Sequence, residues 1–203
     1  EVEEVLIKYP AVKEIAIFGM LGAVMYASDV LMDLFPNIHL VGVFIVAITV
    51  VYRKKALYPL YIYVFLTGIF AGFATWWIPY LYVWTVLWIM VMLLPKKIPE
   101  KIKPLVYMLV CALHGLLFGT IYAPAQALLF GLDFDGMIAW IISGLPFDAI
   151  HAVSNLLCGV LIYPIAVILK KSEKLSVTIY FRIFFFAYSA CGLCIFSTYE
   201  YIT

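Results

Sequence analysis

Asp148, His151 and Asn155 stand at i, i+3 and i+7 in the run Pro146-Phe147-Asp148-Ala149-Ile150-His151-Ala152-Val153-Ser154-Asn155. On a helix this spacing puts a carboxylate, an imidazole and an amide on one face. Proline suits a first helical turn, so the run predicts a helix opening at Pro146. His151 then lies roughly 9 Å along it, at about 1.5 Å per residue. Ionisable groups at such depth in an apolar segment are costly, and they face protein or a water-filled cavity. Two readings follow: the face lines a site, or it forms an interhelical hydrogen-bond network that fixes packing.

Other polar groups belong with this face. Asp29 and Asp33 are one turn apart, Asn37 and His39 follow them, and Gln126 lies late in a later apolar run. Trp76, Trp77, Tyr80, Tyr82 and Trp84 form a dense aromatic stretch beside Pro79. Tryptophan and tyrosine gather at membrane interfaces. They also wall small-molecule pockets that carry a few convergent polar groups. The candidate binding site therefore joins Asp148, His151 and Asn155 with Asp29, His39, Gln126, Trp77, Tyr80 and Trp84. Its carboxylates would pair with a cationic or donor-rich part of a ligand, since a charged hydrogen bond away from water is strong. Its rings would stack on a flat part of the same ligand. His114 reads either as a buried helix–helix hydrogen-bonder or as the pocket floor.

Catalytic and metal patterns are weaker. Asp148-x-x-His151 with His39 or His114 could hold a metal, but there is no His-Glu-x-x-His and no serine in a Gly-x-Ser-x-Gly elbow. Gly131-Leu132-Asp133-Phe134-Asp135-Gly136 looks like part of a calcium loop but lacks the later ligands. It predicts a turn and a short interfacial helix with Asp135 near its N-cap. Cys111, Cys158 and the Cys191-x-x-Cys194 pair all fall in apolar runs without a second pair, so they are expected to be structural. No metal or cofactor is expected, and no enzymatic activity.

The elements that must position these groups are membrane helices. The chain has 203 residues, of which 67% are hydrophobic and 12% charged, with a mean hydropathy of +1.10. A soluble domain would be about half apolar and about a quarter charged. Soluble enzymes, disordered chains and nucleic-acid-coating chains are thereby excluded. Apolar runs cover 14–35, 38–52, 56–75, 78–94, 105–130, 145–169 and 175–199. At about 20 residues per crossing, the fold class is all-α: a single polytopic bundle over 1–203, six helices within 11–171 plus a seventh over 175–203. Run 38–52 is short for a span, and Arg182 interrupts the last one. The first run is too long, and too acidic in its flanks, for a cleavable signal.

Basic residues set the orientation. With the N-terminus in the cytoplasm, Lys8, Lys13, Arg53 to Lys55, Lys96, Lys97, Lys101, Lys103, Lys170, Lys171, Lys174 and Arg182 all fall inside. Those are all 13 lysines and arginines of the chain, as the positive-inside rule requires. The outer half keeps Asp29, Asp33, Asp133, Asp135, Asp148 and Glu200 and no Lys or Arg. Such a surface favours cations or neutral polar aromatics over anions.

Gly19, Ala23 and Ala27 recur every fourth residue in the first run. So do Gly115, Gly119, Ala123 and Ala127, and Gly68 with Gly72. Small residues at this spacing let helices approach closely in lipid, inside one bundle or against another protein.

The Gly19/Ala23/Ala27 stripe resembles the Ala-x-x-x-Ala helix of the substrate-binding membrane subunits (S components) of energy-coupling factor (ECF) vitamin transporters. The Pro-Phe-Asp-x-x-His-x-x-x-Asn block at 146–155 is similar to the opening of their last core helix, followed in both by a span ending near Pro164 and Lys170-Lys171. The resemblance covers about residues 11–171. It implies a multi-pass protein of the bacterial cell membrane that captures a small vitamin or vitamin precursor on the extracellular side. It also implies a membrane coupling (T) subunit, docked at Gly19, Ala23 and Ala27, and two cytoplasmic ATPases. The chain has no Gly-x-x-x-x-Gly-Lys-Ser/Thr loop of its own. A scaffolding membrane protein and an intramembrane metal-dependent enzyme are the alternative readings.

Overall fold

The computed structural model describes residues 10–34 and 38–172, and every regular element among them is helical. They are α1 (Pro10–Met32), α2 (Val41–Tyr52), α3 (Leu57–Ala71), α4 (Tyr80–Leu93), α5 (Lys103–Leu116), α6 (Phe118–Phe130), α7 (Phe134–Cys158) and α8 (Ile162–Ser172). Short 3₁₀ turns at Arg53–Ala56 and Gly159–Leu161 join α2 to α3 and α7 to α8. Three stretches are long and apolar enough to cross a membrane: Val12–Met32, Lys103–Phe130 and Phe134–Ser172. The expected span over 175–199, with Arg182, Cys191 and Cys194, lies outside the described residues, as do Lys8, Asn37, Lys174 and Glu200.

Chain direction sorts the charges. The starts of α1, α3 and α5 and the ends of α2, α4 and α8 carry Lys13, Arg53 to Lys55, Lys96 to Lys103, Lys170 and Lys171. Cross-links confirm that these ends meet. Lys55 pairs with Glu14, and Arg53 donates to the Met92 carbonyl. Glu100 receives both Lys103 and the Tyr163 hydroxyl. Asp29, Asp33, Asp133 and Asp135 sit at the opposite helix ends.

Helix α2 forms the centre. Eight of its residues, Val41 to Val43 and Ile45 to Thr49, are buried. A helix that is apolar all round is stable when covered all round, and α1, α4, α5 and α8 cover this one. At 12 residues it is about 18 Å long, shorter than a bilayer core of about 30 Å. The short run 38–52 thus becomes a core helix. It ends abruptly at Arg53, whose φ of +53° is the one positive value on a non-glycine among the described residues. Gly72 ends α3 with φ +95°, a value only glycine takes without strain.

Glycines set the close crossings. On Gly22 of α1, an added Cβ would lie 2.5 Å from Ile62 Cγ2 of α3. Helices α5 and α6 run antiparallel to α7, with Gly119 facing Asp148, Gly115 facing His151 and Asn155, and Met108 facing Gly159. The Gly115/Gly119/Ala123 stripe is therefore internal packing.

Two expectations are corrected in α7. Asp133, not Asp135, is its N-cap, with its side chain accepting from Gly136 N at 2.7 Å. No separate interfacial helix forms, and Pro146 lies inside the 25-residue helix. Proline lacks an N–H, so the Ile142 carbonyl loses its partner there. Residues 134–147 carry no buried side chain. The peripheral half of α7 tolerates this local loss.

Candidate functional site

At the acidic end, a cavity of about 350 Å³ opens between α1, α2, α3, α4, α5, α6 and α7. That is within the size range of small-molecule sites. Its mouth carries the exposed Asp33, the half-buried Asp29 and His39, and Val30. Its walls are Tyr26, Tyr63, Trp76, Tyr80, Trp84 and Phe118, and deeper polar groups come from His114, His151 and Asn155. Among the described residues, no lysine or arginine lines it.

Asp29 anchors the polar side. Its Oδ2 accepts from the Tyr63 hydroxyl at 2.9 Å. His39 Nδ1 lies 3.4 Å from Oδ1, close enough for a charge pair when protonated but outside hydrogen-bond geometry. The His39 and His151 rings meet at 5.8 Å. Among the described residues, His151 Nε2 and Trp84 Nε1 are buried without hydrogen-bond partners. Buried polar atoms of that kind normally find a partner, so both are available to one.

An aromatic chain supports the floor. Trp76 packs on Tyr80, Tyr80 on Trp84, and Trp84 on Tyr63, His114 and Phe118. His114 is 1% exposed, and its Nε2 lies 3.0 Å from the Val83 carbonyl. That carbonyl only accepts, so Nε2 carries the proton. His114 thus combines both expected roles, bonding between α4 and α5 and forming the floor.

Of the nine ligand-contact residues expected from sequence, six line the cavity together: Asp29, His39, Tyr80, Trp84, His151 and Asn155. Asp148, Trp77 and Gln126 do not. Asp148 is 3% exposed and accepts from Gly119 N at 3.0 and 3.2 Å through its two oxygens. Helices α5 and α6 break at Leu117, which leaves backbone donors at the start of α6 without partners. The carboxylate caps that break from a neighbouring helix, with favourable dipole geometry. Trp77 donates to the Val64 carbonyl at 2.7 Å and packs on Phe73, so it staples the outer turn to α3. Gln126 is half-buried in α6.

Sequence reasoning missed Tyr26, Tyr63, Thr67 and Phe118, and preferred Trp77 to Trp76. The available signal was the i, i+4, i+8 series Trp76, Tyr80, Trp84. Phe118 likewise stands four residues after His114. Nothing in the pattern distinguishes Tyr63 from Tyr58 or Tyr61.

Gly19, Ala23 and Ala27 lie half-buried on α1, and a Cβ added at Gly19 would meet nothing within 4 Å. Among the described residues, no three His, Cys, Asp or Glu side chains form a metal-holding group. The all-helical architecture, with three stretches apolar and long enough to cross a bilayer, defines a helical membrane protein. No family model, no curated protein and no solved structure matches the chain.

Proposed function

We propose that this chain is the substrate-capture subunit of an ECF-type importer. In this reading it crosses the bacterial cell membrane six times over residues 10–172, with both ends of that stretch in the cytoplasm. The observation that carries the proposal is the cavity itself: an aromatic-walled hollow with two carboxylates at its mouth and, among the described residues, no basic side chain. Such chemistry selects a small, ring-bearing organic cation. A cation over aromatic faces gains about 2 kcal/mol when desolvated, and Asp29 and Asp33 add attraction at the mouth. The Trp84 indole N–H, His151 Nε2 and the Asn155 amide suit polar atoms on the buried part of the ligand. A vitamin or vitamin precursor has this character.

Delivery then falls to partners. The unfilled space at Gly19, with Ala23 and Ala27 on the same face, suits a coupling subunit, and two cytoplasmic ATPases supply the energy. Asp148 acts here as a positioning residue that sets α6 against α7 beside His151 and Asn155.

The test is mass spectrometry of small molecules retained through gentle purification, followed by tryptophan-fluorescence titration with the molecule found. A stoichiometric cationic ring compound, together with co-purifying ATPases, supports the reading. Exclusive binding of anions would overturn the ligand class. An empty protein held constitutively by a non-ATPase partner would favour the scaffold.

A further inference from the structure

A second opening lies at the basic end. Two cavities of about 410 and 470 Å³ share Val50, Lys96 and Tyr107, so they are lobes of one cleft. Among the described residues, Arg53, Lys96, Lys103 and Lys170 line it, against a single carboxylate, Glu100. That carboxylate is already engaged by Lys103 and by the Tyr163 hydroxyl at 3.1 Å. These two hydrogen bonds hold its pKa below the ordinary 4.5, so it stays charged and spoken for. Among the described residues, no carboxylate comes within ion-pair distance of Arg53, Lys96 or Lys170. The Arg53 guanidinium donates to the Met92 carbonyl at 3.2 Å.

The cleft is therefore a set of cations from three chain segments in excess over its acid, with phenol hydroxyls between them and an apolar floor of Val50, Val91 and Ala166. Cations over an apolar floor match the head-group end of an amphiphile. Basic pockets between membrane helices are suited to anionic head groups.

We propose that this cleft binds the phosphate head group of an anionic phospholipid. Lys96, Lys170 and Arg53 contact the phosphate. The site is distinct from the cation-selective cavity and stands whether or not that cavity captures a vitamin.

The experiment is native mass spectrometry of the full chain from mixed detergent micelles. The micelles contain phosphatidylglycerol or phosphatidylcholine, with inorganic phosphate as a separate competitor. Expected is retained phosphatidylglycerol in preference to phosphatidylcholine. Lys96→Gln and Lys170→Gln should each weaken it roughly fivefold, the effect of one basic residue near an anionic surface. Glu100→Gln should strengthen it, and Lys54→Gln, at the same end but outside the cleft, should leave it unchanged. Arg53 stays intact because it also bonds the backbone. Equal retention of the two lipids would overturn the proposal, as would a Lys54→Gln loss as large as that of Lys96→Gln. Displacement by equimolar inorganic phosphate would reassign the cleft to a free anion. An acidic partner protein that occupies it in place of lipid would refute the lipid assignment.

Discussion

Asp148 offers the sharpest separation of structure from binding. Asp148→Ala removes the acceptor for Gly119 N at the start of α6. An orphaned buried donor costs about 1–3 kcal/mol. Loss of a negative charge at a helix N-terminus adds about 1 kcal/mol in a partly buried setting. The sum is about 3 kcal/mol, or about 6–12 °C in Tm for a chain of this size. Asp148→Asn keeps one accepting oxygen and should lose only about 2–4 °C. Gly119→Ala tests the same contact from the other side, because its Cβ would lie 2.6 Å from Asp148 Oδ2; it should also lower Tm. The assay is thermal unfolding in detergent, run beside ligand titration. Since Asp148 does not line the cavity, affinity should fall much less than stability. Unchanged Tm with abolished binding in Asp148→Ala would refute the capping argument and put the carboxylate on the ligand.

Three further outcomes follow from the site and the helix faces. Asp29→Asn should weaken a cationic ligand roughly ten- to a hundredfold in Kd, the contribution of one charge-assisted hydrogen bond; an equal loss for a neutral analogue of the same ligand would show that the charge is not read. Trp84→Leu should weaken it roughly thirtyfold, since a desolvated cation–π contact contributes about 2 kcal/mol, and full affinity in the variant would remove the stacking wall from the argument. Gly22→Leu should destabilise the fold, because the α1–α3 contact has no room for a side chain, whereas Gly19→Leu should fold, bind ligand and fail to co-purify with a coupling subunit. A Gly19→Leu protein that keeps its partners would move docking to another face.

Much of this arrangement was legible in the chain, for reasons that can be named. The basic residues cluster between apolar runs, so chain direction alone collects them at one end and leaves Asp29, His39 and the aromatic stretch at the other. Helical spacing put Asp148, His151 and Asn155 on one face. It could not say what stands opposite each. Gly119 meets the first, while Gly115 and the Cys111 carbonyl meet the other two deeper down, so one face serves two roles. Trp77 was misjudged because it falls off the series that Trp76 makes with Tyr80 and Trp84: Trp76 lines the cavity with them, while Trp77 turns to Val64 and Phe73. Pro146 reads locally as a helix start, but the 12 residues before it are helical as well. Only their place at the periphery, where a missing hydrogen bond is tolerable, explains why the helix runs through.

The covered middle of α2 has a consequence for traffic. Between Gly42 at the acidic hollow and Val50 at the basic cleft, its side chains from Val43 to Ile48 are sealed, apart from Phe44. Leu87 occupies the same level between Trp84 and Val91, and Cys111 between Gly115 and Tyr107; both are fully buried. Among the described residues, the two openings are thus separated by packed side chains. In the proposed importer, a ligand held in the acidic hollow would therefore need a change of conformation, rather than a path through α2, to reach the other side.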